Sequence, residues 1–201
     1  MKTISGSFTY KGLYNELEAE FGAGEARRLW ALAERINKHL YEKYSPEDNF
    51  NVGDFVFPAA AVFIALRKRQ PDFDALTLLR SYGTKIGGKI RKIFLFVTSL
   101  PFAAGIVHKN LVRIMYSTSG VDKGYTRKII SENSDFAAVD ILSCPLYDMT
   151  KKIGVPEVCQ TICAMDKVYM TGLRHIRYER TKSVAEGGDC CDYRLTWDRT
   201  Y

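Results

Sequence analysis

The hydrophobic period of the chain changes once, near Gly120, and this change most narrows the folds that the chain can adopt. Before Gly120, apolar residues recur at spacings of three and four, the period of an α-helix that buries one face. After it, segments rich in β-branched and aromatic residues are separated by turn residues, which is typical of strands. Tyr125 to Ser131 and Phe136 to Cys144 are joined by Glu132-Asn133-Ser134 and are predicted to form a hairpin. The sequence therefore predicts a helical part followed by a sheet.

The part before Gly120 is predicted to contain a series of amphipathic helices. Gly22-Ala23-Gly24 interrupts the first apolar stripe and is expected to separate two of them. Ser45-Pro46-Glu47-Asp48 has an N-cap hydroxyl, a proline at the first helical position and acids in the first turn, which together predict a helix start. Asp72 is expected to cap the next helix, and a last helix is predicted from about Phe102 to Tyr116.

The part after Gly120 is predicted to place two helices between two hairpins. Gly154 suits a helix C-cap, and Pro156-Glu157 is expected to start a second helix that runs to about Thr171. The second hairpin is predicted from Leu173 to Val184 and from Cys190 to Trp197. The order ββ–αα–ββ predicts an α+β fold with an antiparallel β-sheet covered by helices.

Length and composition are those of a globular chain. A length of 201 residues fits one domain, so we expect a single α+β domain with a helical part (1–118) and a sheet-containing part (119–201). The N-terminal sequence has no apolar run of the kind that secretion needs, so we expect a cytoplasmic, reducing location in which the five cysteines are thiols. The longest apolar stretch, Ile93 to Val107, is too short to cross a bilayer, and we expect no transmembrane segment.

The formal net charge of +6 comes from one segment, Arg67 to Lys92, which holds eight basic residues against Asp72 and Asp74. Such a segment can meet nucleic acid or anionic lipid, but a solvated helix face is its commoner origin. No aromatic strand motif for RNA and no helix-turn-helix pattern accompanies it. We therefore expect no nucleic-acid partner, and the segment leaves open a peripheral membrane contact.

Residues able to carry chemistry gather on the predicted helix from Pro156 to Thr171. Cys159, Cys163, Asp166 and Met170 follow one another at spacings of four, three and four, which places them on one strip of the helix. One interpretation is a nucleophile or metal ligand beside a carboxylate. The other is a pair of buried cysteines that act as small apolar side chains beside a solvated aspartate.

The last predicted strand carries the remaining candidates on two opposite faces, because successive side chains of a strand alternate. Cys191, Tyr193, Leu195 and Trp197 share the apolar, inward face. Cys190, Asp192, Arg194 and Thr196 share the other face, where Asp192 and Arg194 form either a surface ion pair or a support for the site.

The sequence shows no established metal or nucleotide motif. Cys144, Cys159, Cys163 and Cys191 lack the paired knuckle spacing of a structural zinc site, so we expect no metal and no other cofactor. The three histidines lack the spacing of a zinc protease or a catalytic triad, and of the three only His175 lies near the suspected site.

Five motifs follow one another in the C-terminal half of the chain. They are, in order, Cys144-Pro145-Leu146-Tyr147-Asp148, Gly154-Val155-Pro156-Glu157, Cys163-Ala164-Met165-Asp166, Arg180-Thr181 and Gly187-Gly188-Asp189-Cys190-Cys191-Asp192-Tyr193-Arg194. In this order and spacing they resemble the L-2-amino-thiazoline-4-carboxylic acid hydrolase family. The resemblance extends over about Tyr125 to Trp197, and it implies a hydrolase that opens a cyclic amidine-like thiazoline ring to a carbamoyl-cysteine product.

The resemblance also implies a set of site residues. The matching catalytic candidates are Cys144, Cys163, Asp166 and Cys191. Arg180, Asp192 and Arg194 match as substrate-binding residues, and His175 is added to these for its position in the second hairpin. We expect Asp166 to act as the base, Cys163 or Cys191 as the nucleophile or ring-polarising group, and Arg180 as the ligand of a substrate carboxylate.

Two functions of other classes stay open beside a hydrolase. A non-catalytic small-molecule or thiol-sensing domain would use the same pocket without turnover. A membrane- or partner-binding protein would use the basic segment and the apolar stretch that follows it. The expected partner is a small-molecule substrate, and the sequence leaves open whether the chain forms a homo-oligomer.

Overall fold

The structure is a computed structural model that describes residues 2–44, 52–100 and 102–199. It has the predicted α+β architecture, a helical N-terminal half followed by an antiparallel sheet with two helices between its hairpins. The helices are α1 (Leu13–Tyr44), α2 (Phe57–Arg69), α3 (Ala75–Thr98), α4 (Ala103–Thr118), α5 (Pro145–Ile153) and α6 (Val158–Met170). The strands are β1 (Thr126–Glu132), β2 (Phe136–Ser143), β3 (Ile176–Glu179) and β4 (Cys191–Trp197).

The chain forms two compact units. The first comprises Met1–Gly83 and Asp148–Ile162, and the second comprises Thr84–Tyr147 and Cys163–Tyr201. Helices α3, α5 and α6 each run from one unit into the other. The expectation of one α+β domain stays a prediction.

In the first unit, the break predicted at Gly22-Ala23-Gly24 is a local departure from helical geometry within α1. Gly22 has φ 76° and ψ 160°, a conformation that glycine adopts without the steric cost of a Cβ atom. Helix α2 packs on α1 and is buried around nearly its whole circumference, because small alanines at positions 59–61 let neighbouring elements approach closely.

The start of α3 corrects one prediction. The helix is capped by Asp74 and not by Asp72, since the Thr77 backbone N–H donates to Asp74 Oδ1 at 3.0 Å. Two hydrogen bonds from Thr77, from its hydroxyl and its backbone N–H, lower the pKa of Asp74. The predicted helix start at Ser45-Pro46-Glu47-Asp48 lies outside the described residues.

The second unit contains the sheet, whose strand order is β1-β2-β4-β3 with all neighbours antiparallel. Strand β4 lies between β2 and β3, with Val139 opposite Tyr193 and Tyr178 opposite Leu195. These residues face the core, where Leu111 of α4 packs against Leu195. The inward face predicted for the last strand is therefore confirmed.

A glycine in α4 marks the tightest helix-to-sheet approach in this unit. A Cβ atom at Gly105 would lie 2.5 Å from the indole of Trp197, well inside van der Waals contact. We expect Gly105→Ala to lower the free energy of unfolding by about 1–3 kcal/mol, because the core must shift to admit the methyl group. Urea denaturation followed by tryptophan fluorescence measures the change.

Gly24→Ala is the matched control for that variant. Gly24 lies in α1 and a Cβ atom there meets no atom within 4 Å, so the same substitution should raise stability by about 0.4–1 kcal/mol. Equal effects of the two variants would show that the Gly105 contact carries no packing constraint.

Candidate functional site

The candidate site lies in the second unit, where Arg180 directly follows β3 and reaches residues of α6 and β4. Its guanidinium donates to the Tyr193 hydroxyl at 3.3 Å and to the Cys163 carbonyl oxygen at 3.2 Å. It also lies over the ring of Tyr193, 5.6 Å from the centroid. A guanidinium has more N–H donors than these two hydrogen bonds use, so Arg180 retains capacity for an anionic ligand.

Asp166 lies on α6, within electrostatic range of this guanidinium. Desolvation raises the pKa of Asp166 from 3.8 to about 6, although a hydrogen bond from Tyr169 and the charge of Arg180 both act to lower it. Tyr169 is three residues further along the helix, the spacing at which helical side chains meet. A carboxylate with a pKa near neutrality is well matched to proton transfer in water.

Asp166 and Arg180 form a cluster with Tyr169, Tyr178 and Tyr193. The side chains of this cluster are surrounded by protein and yet retain some accessible surface. Asp166, Tyr169, Arg180 and Tyr193 are each half-buried, while the carboxyl and phenol groups among them are strongly desolvated. These polar groups are therefore desolvated although their residues are not fully enclosed. Small-molecule sites have this form, with a few polar groups in a largely apolar lining.

Tyr178 is the cluster residue without a hydrogen bond. Its side chain is 8% exposed, and no protein group in the described part of the chain bonds its hydroxyl. Burial raises the pKa of Tyr178, and the charges of Arg180, Asp166, Cys163 and Cys191 all act on its hydroxyl. A buried hydroxyl is rarely left unpaired, because its desolvation is not compensated. The Tyr178 hydroxyl is therefore within electrostatic range of the cluster and has no hydrogen-bond partner among the described residues.

Sequence reasoning missed the three tyrosines 169, 178 and 193 as site residues. The alternation of the last strand puts Tyr193 on its inward, apolar face, which is the pattern of a core residue. The available signal was the alternation of β3 and β4, which directs Tyr178, Tyr193 and Cys191 to the same side as Asp166 and Arg180.

The thiols occupy different environments. Cys191 begins β4 and is buried, and desolvation raises its pKa to about 11. Its sulfur accepts the Val184 backbone N–H at 3.3 Å and donates to Ser183 Oγ at 3.9 Å. The negative charges that Cys163 and Cys144 would carry as thiolates also raise this pKa, so the structure brings the three thiols into electrostatic range of one another.

The other cysteines lie apart from this group. All five cysteines lie among the described residues, and all five are free thiols. Cys159 is fully buried in the part of α6 that belongs to the first unit. Cys190 precedes β4 and is buried, and this burial raises its pKa.

Asp192 and Arg194 point to the opposite face of β4 from Tyr193. Asp192 accepts hydrogen bonds from the Thr181 and Lys182 backbone N–H groups at 2.8 and 2.6 Å. Burial alone would raise the pKa of Asp192, but the bonds from Thr181 and Lys182 outweigh it and lower the pKa. Arg194 forms an ion pair with Asp140 on β2 at 2.8 Å. Their roles as substrate ligands stay predictions, and the structure places them across the sheet from Arg180.

His175 lies at the other end of the strand pair from Cys191. Its backbone has φ 60°, the left-handed region, and its carbonyl oxygen accepts the Asp198 N–H at 2.7 Å. The neighbouring Ile176 pairs with Trp197 at the end of β4, whereas Cys191 is the first residue of that strand. The structure therefore does not bring His175 close to Cys191, and its predicted role stays untested.

Two further features of the structure concern metal ligands and a groove in the first unit. Across residues 2–44, 52–100 and 102–199, no three His, Cys, Asp or Glu side chains are arranged to hold a metal ion. A separate groove in the first unit contains Arg35, His39, Lys43 and Lys68, and none of the predicted site residues lines it.

Comparison with solved structures finds H-NOX proteins at low similarity. An Fe(II)-ligated triple mutant from S. oneidensis has a TM-score of 0.35 at 13% identity, with all of both chains covered. An unliganded Fe(II) point mutant from K. algicida has a TM-score of 0.33 at 16% identity, with 100% of this chain and 98% of that chain covered. At these scores the likeness carries no argument about fold or function.

Comparison with protein families gives a clear result. No protein with a curated description matches the chain. The sequence model of the family described as L-2-amino-thiazoline-4-carboxylic acid hydrolase matches residues 57–195, which is more than half of the chain and includes every cluster residue described above. The chain belongs to the L-2-amino-thiazoline-4-carboxylic acid hydrolase family.

Proposed function

We propose that this protein is a hydrolase that opens a small cyclic substrate with a carboxylate group, such as an amino-thiazoline carboxylate. The observation that carries the proposal is the desolvated Asp166, with a pKa of about 6, within electrostatic range of the Arg180 guanidinium. A base and a fixed cation near one another are what such a reaction needs from the protein. Family membership supports the chemical class that we propose for the substrate.

The reaction adds one water to the ring. The water oxygen forms a bond to the amidine carbon, and the bond from that carbon to the ring sulfur then breaks. One water proton passes to the ring nitrogen and the other to the departing sulfur, which gives a carbamoyl group and a free thiol. No oxidant or further reactant is needed.

Asp166 is the base in this scheme. Its ionised carboxylate removes a proton from the attacking water, and the neutral acid that forms returns the proton to the leaving sulfur. The Tyr169 hydroxyl donates to the same carboxyl group and positions it on α6. Because the pKa of Asp166 is about 6, both protonation states are accessible near neutral pH.

Arg180 binds the substrate carboxylate in the proposal. Guanidinium and carboxylate match in a two-pronged geometry, and the bonds to Tyr193 and Cys163 hold the guanidinium in place. This fixed cation orients the ring relative to Asp166, so that the amidine carbon meets the activated water.

Among the thiols, Cys163 is the better candidate for an alternative route, in which its sulfur bonds to the amidine carbon, the bond from that carbon to the ring sulfur breaks, and water then displaces Cys163 to release the carbamoyl product. The attacking species is a thiolate, and Cys191, with a pKa of about 11, is protonated at neutral pH. Cys191 also holds the turn at Val184 through its hydrogen bonds. Cys163 is half-buried and lies one helical turn from Asp166, within reach of the same substrate.

The test of the proposal is turnover. Purified protein is incubated with a panel of amino-thiazoline and related cyclic carboxylates, and mass spectrometry searches for a product heavier by one water.

A non-catalytic small-molecule or thiol-sensing domain is the second candidate, favoured by the unpaired Tyr178 hydroxyl, which a ligand can satisfy without reacting. Binding of a panel member without conversion would select this second function and reject the hydrolase.

The Tyr178 hydroxyl provides a separate prediction. Tyr178→Phe removes a buried, unpaired hydroxyl, so we expect the ligand-free protein to gain about 1 kcal/mol in free energy of unfolding. If a substrate group bonds this hydroxyl, the same variant should bind substrate about 5- to 10-fold more weakly. Thermal unfolding and isothermal titration measure the two effects.

Tyr116→Phe is the control for affinity, because the Tyr116 hydroxyl is also buried but belongs to α4 and interacts with Glu132 instead of Asp166 or Arg180. It should leave substrate affinity unchanged. Equal losses of affinity in the two variants would remove Tyr178 from the site.

A further inference from the structure

The segment that forms all of α3 and α4 contains only one sign of charge. Between Asp74 and Asp122 the sequence has no aspartate or glutamate. The basic residues of this segment are Arg80, Lys85, Lys89, Arg91, Lys92, Lys109 and Arg113. Further upstream, Arg67 and Arg69 form ion pairs with Glu157 and Glu25, so the basic residues there are partly neutralised. The positive charge that no acidic residue of the same segment balances lies at Lys89 and Lys92 on α3 and at Lys109 and Arg113 on α4.

The exposed face of α3 changes from basic to apolar along the helix. Lys89 and Lys92 are exposed, and the same stripe continues with Ile93, Phe96 and Leu100 just beyond the helix end, which are 63%, 70% and 48% exposed. The opposite side of the helix already supplies the core, since Phe94 and Leu95 pack against the cluster around Leu195. The outward apolar side chains are therefore in excess of what the core uses.

The start of α4 extends this apolar surface. Phe102 is 93% exposed and has φ 64°, a left-handed conformation that a bulky side chain rarely adopts. Ile106, one helical turn later, is 64% exposed. Lys109 and Arg113 follow on the exposed side of the same helix. Both helices thus have apolar side chains near their connection and cations further along.

The spacing of these residues suits a membrane interface. A helix rises about 1.5 Å per residue, so Lys89 and Phe96 are separated by roughly 10 Å along α3. Amphipathic helices bury their apolar face to a depth of about 5–10 Å while their lysines remain at the lipid headgroups. None of the helices formed by the described residues is long and apolar enough to cross a bilayer.

The positive charge beside this apolar surface favours one class of binding partner over the others. A second copy would bring two basic surfaces together in a symmetric contact, where like charges repel. Nucleic acid would match the charge but offers no apolar partner for Ile93, Leu100 and Ile106. An anionic bilayer matches both properties at once, since it attracts cations at its surface and accepts apolar side chains below it.

We propose that the end of α3 and the start of α4 dock on anionic membrane surfaces, with Phe96 and Phe102 inserted below the headgroups and Lys89 and Lys92 at the headgroups. The surface is defined by Lys89, Lys92, Ile93, Phe96, Leu100, Phe102 and Ile106. This docking is independent of the hydrolase proposal, because none of these residues belongs to the cluster around Asp166.

The experiment is co-sedimentation of the full chain with vesicles of phosphatidylcholine alone and of phosphatidylcholine with phosphatidylglycerol. We expect binding to the anionic vesicles at least tenfold stronger than to the neutral ones, and weaker binding as salt is raised. Phe96→Ser and Phe102→Ser should each weaken it at least tenfold, and Lys89→Gln about fivefold. Circular dichroism and the unfolding temperature of these variants should match the unaltered protein.

Phe8→Ser is the matched control, because Phe8 is 85% exposed and lies outside this surface. It should leave vesicle binding unchanged. Three results would overturn the proposal: no preference for anionic vesicles, equal losses in Phe8→Ser and Phe102→Ser, or a dimer in sedimentation velocity that Phe96→Ser dissociates. The last of these would assign the surface to a second copy of the chain.

Discussion

Replacing Asp166 by Asn should lower turnover by about 10²–10⁴-fold and leave substrate binding nearly unchanged. The amide has the shape of the carboxylate and still accepts the Tyr169 hydroxyl, but it cannot remove a proton from water. In the unaltered enzyme, turnover should rise with pH through about 6 as Asp166 ionises, and this limb should be absent in the variant. Steady-state kinetics across pH 4–8 measures both.

The same substitution should change stability in the opposite direction. Burial raises the pKa of Asp166 in the folded state above its ordinary value of 3.8, so the folded protein holds this proton more tightly than the unfolded chain does. The resulting stability is fully present below pH 4 and is lost as pH rises through about 6. Asp166→Asn should therefore be more stable than the unaltered protein at pH 7, by on the order of 2 kcal/mol, and equal to it at low pH.

Cys163→Ser distinguishes the two routes of attack. If Asp166 activates water, the cysteine variant should keep most of its turnover while the aspartate variant loses it. If Cys163 attacks, both variants should lose turnover to a similar extent. Full activity in Asp166→Asn, with its stability gain present, would show that the raised pKa has no part in the reaction.

Replacing Arg180 by Lys should raise KM by about 10- to 100-fold with a smaller change in kcat. Lysine keeps the charge but loses the planar, two-pronged geometry, and one charge-assisted hydrogen bond is worth roughly 1.5–3 kcal/mol. The difference in KM between Arg180→Lys and the unaltered protein should disappear for substrate analogues in which an amide replaces the carboxylate. The unaltered protein already binds these analogues weakly. Initial rates with the acid and the amide measure this difference.

Arg177→Lys is the control for this substitution, since Arg177 is an exposed residue of β3 paired with Glu179. It should leave KM unchanged. Arg194→Lys tests the other predicted arginine, on the far face of the sheet. A rise in KM for Arg194→Lys and none for Arg180→Lys would place the carboxylate beside Asp140 and reject the proposed site.

The periodicity of the sequence was sufficient to predict most of the fold. Both hairpins, the helix that starts near Pro156 and the inward face of the last strand follow from local patterns that the structure retains. The helix start at Asp74 was missed because Asp72 has the same capping chemistry two residues earlier, and only the observed bond from Thr77 separates them.

The candidate site was less predictable, because it depends on contacts between distant elements. The spacing of Cys163 and Asp166 on one helix was readable from the sequence. That Arg180 turns towards α6 while Arg194 turns towards Asp140 depends on the register of β4 with its neighbours. A tyrosine on the inward face of a strand gives the same sequence pattern whether it packs in the core or binds a ligand. Tyr178 could therefore not be distinguished from a core residue by its sequence.

The strand order β1-β2-β4-β3 has a consequence for biosynthesis. Strand β4 is the last of the four to leave the ribosome, although β3 pairs with no other strand in the described part of the chain and β2 depends on β4 for one of its two partners. A nascent chain that stops before Cys191 has one hairpin and one unpaired strand, and it lacks Tyr193, which Arg180 contacts. Translation must therefore pass β4 before Arg180 can be held in position, so truncated products should expose sheet edges and be inactive.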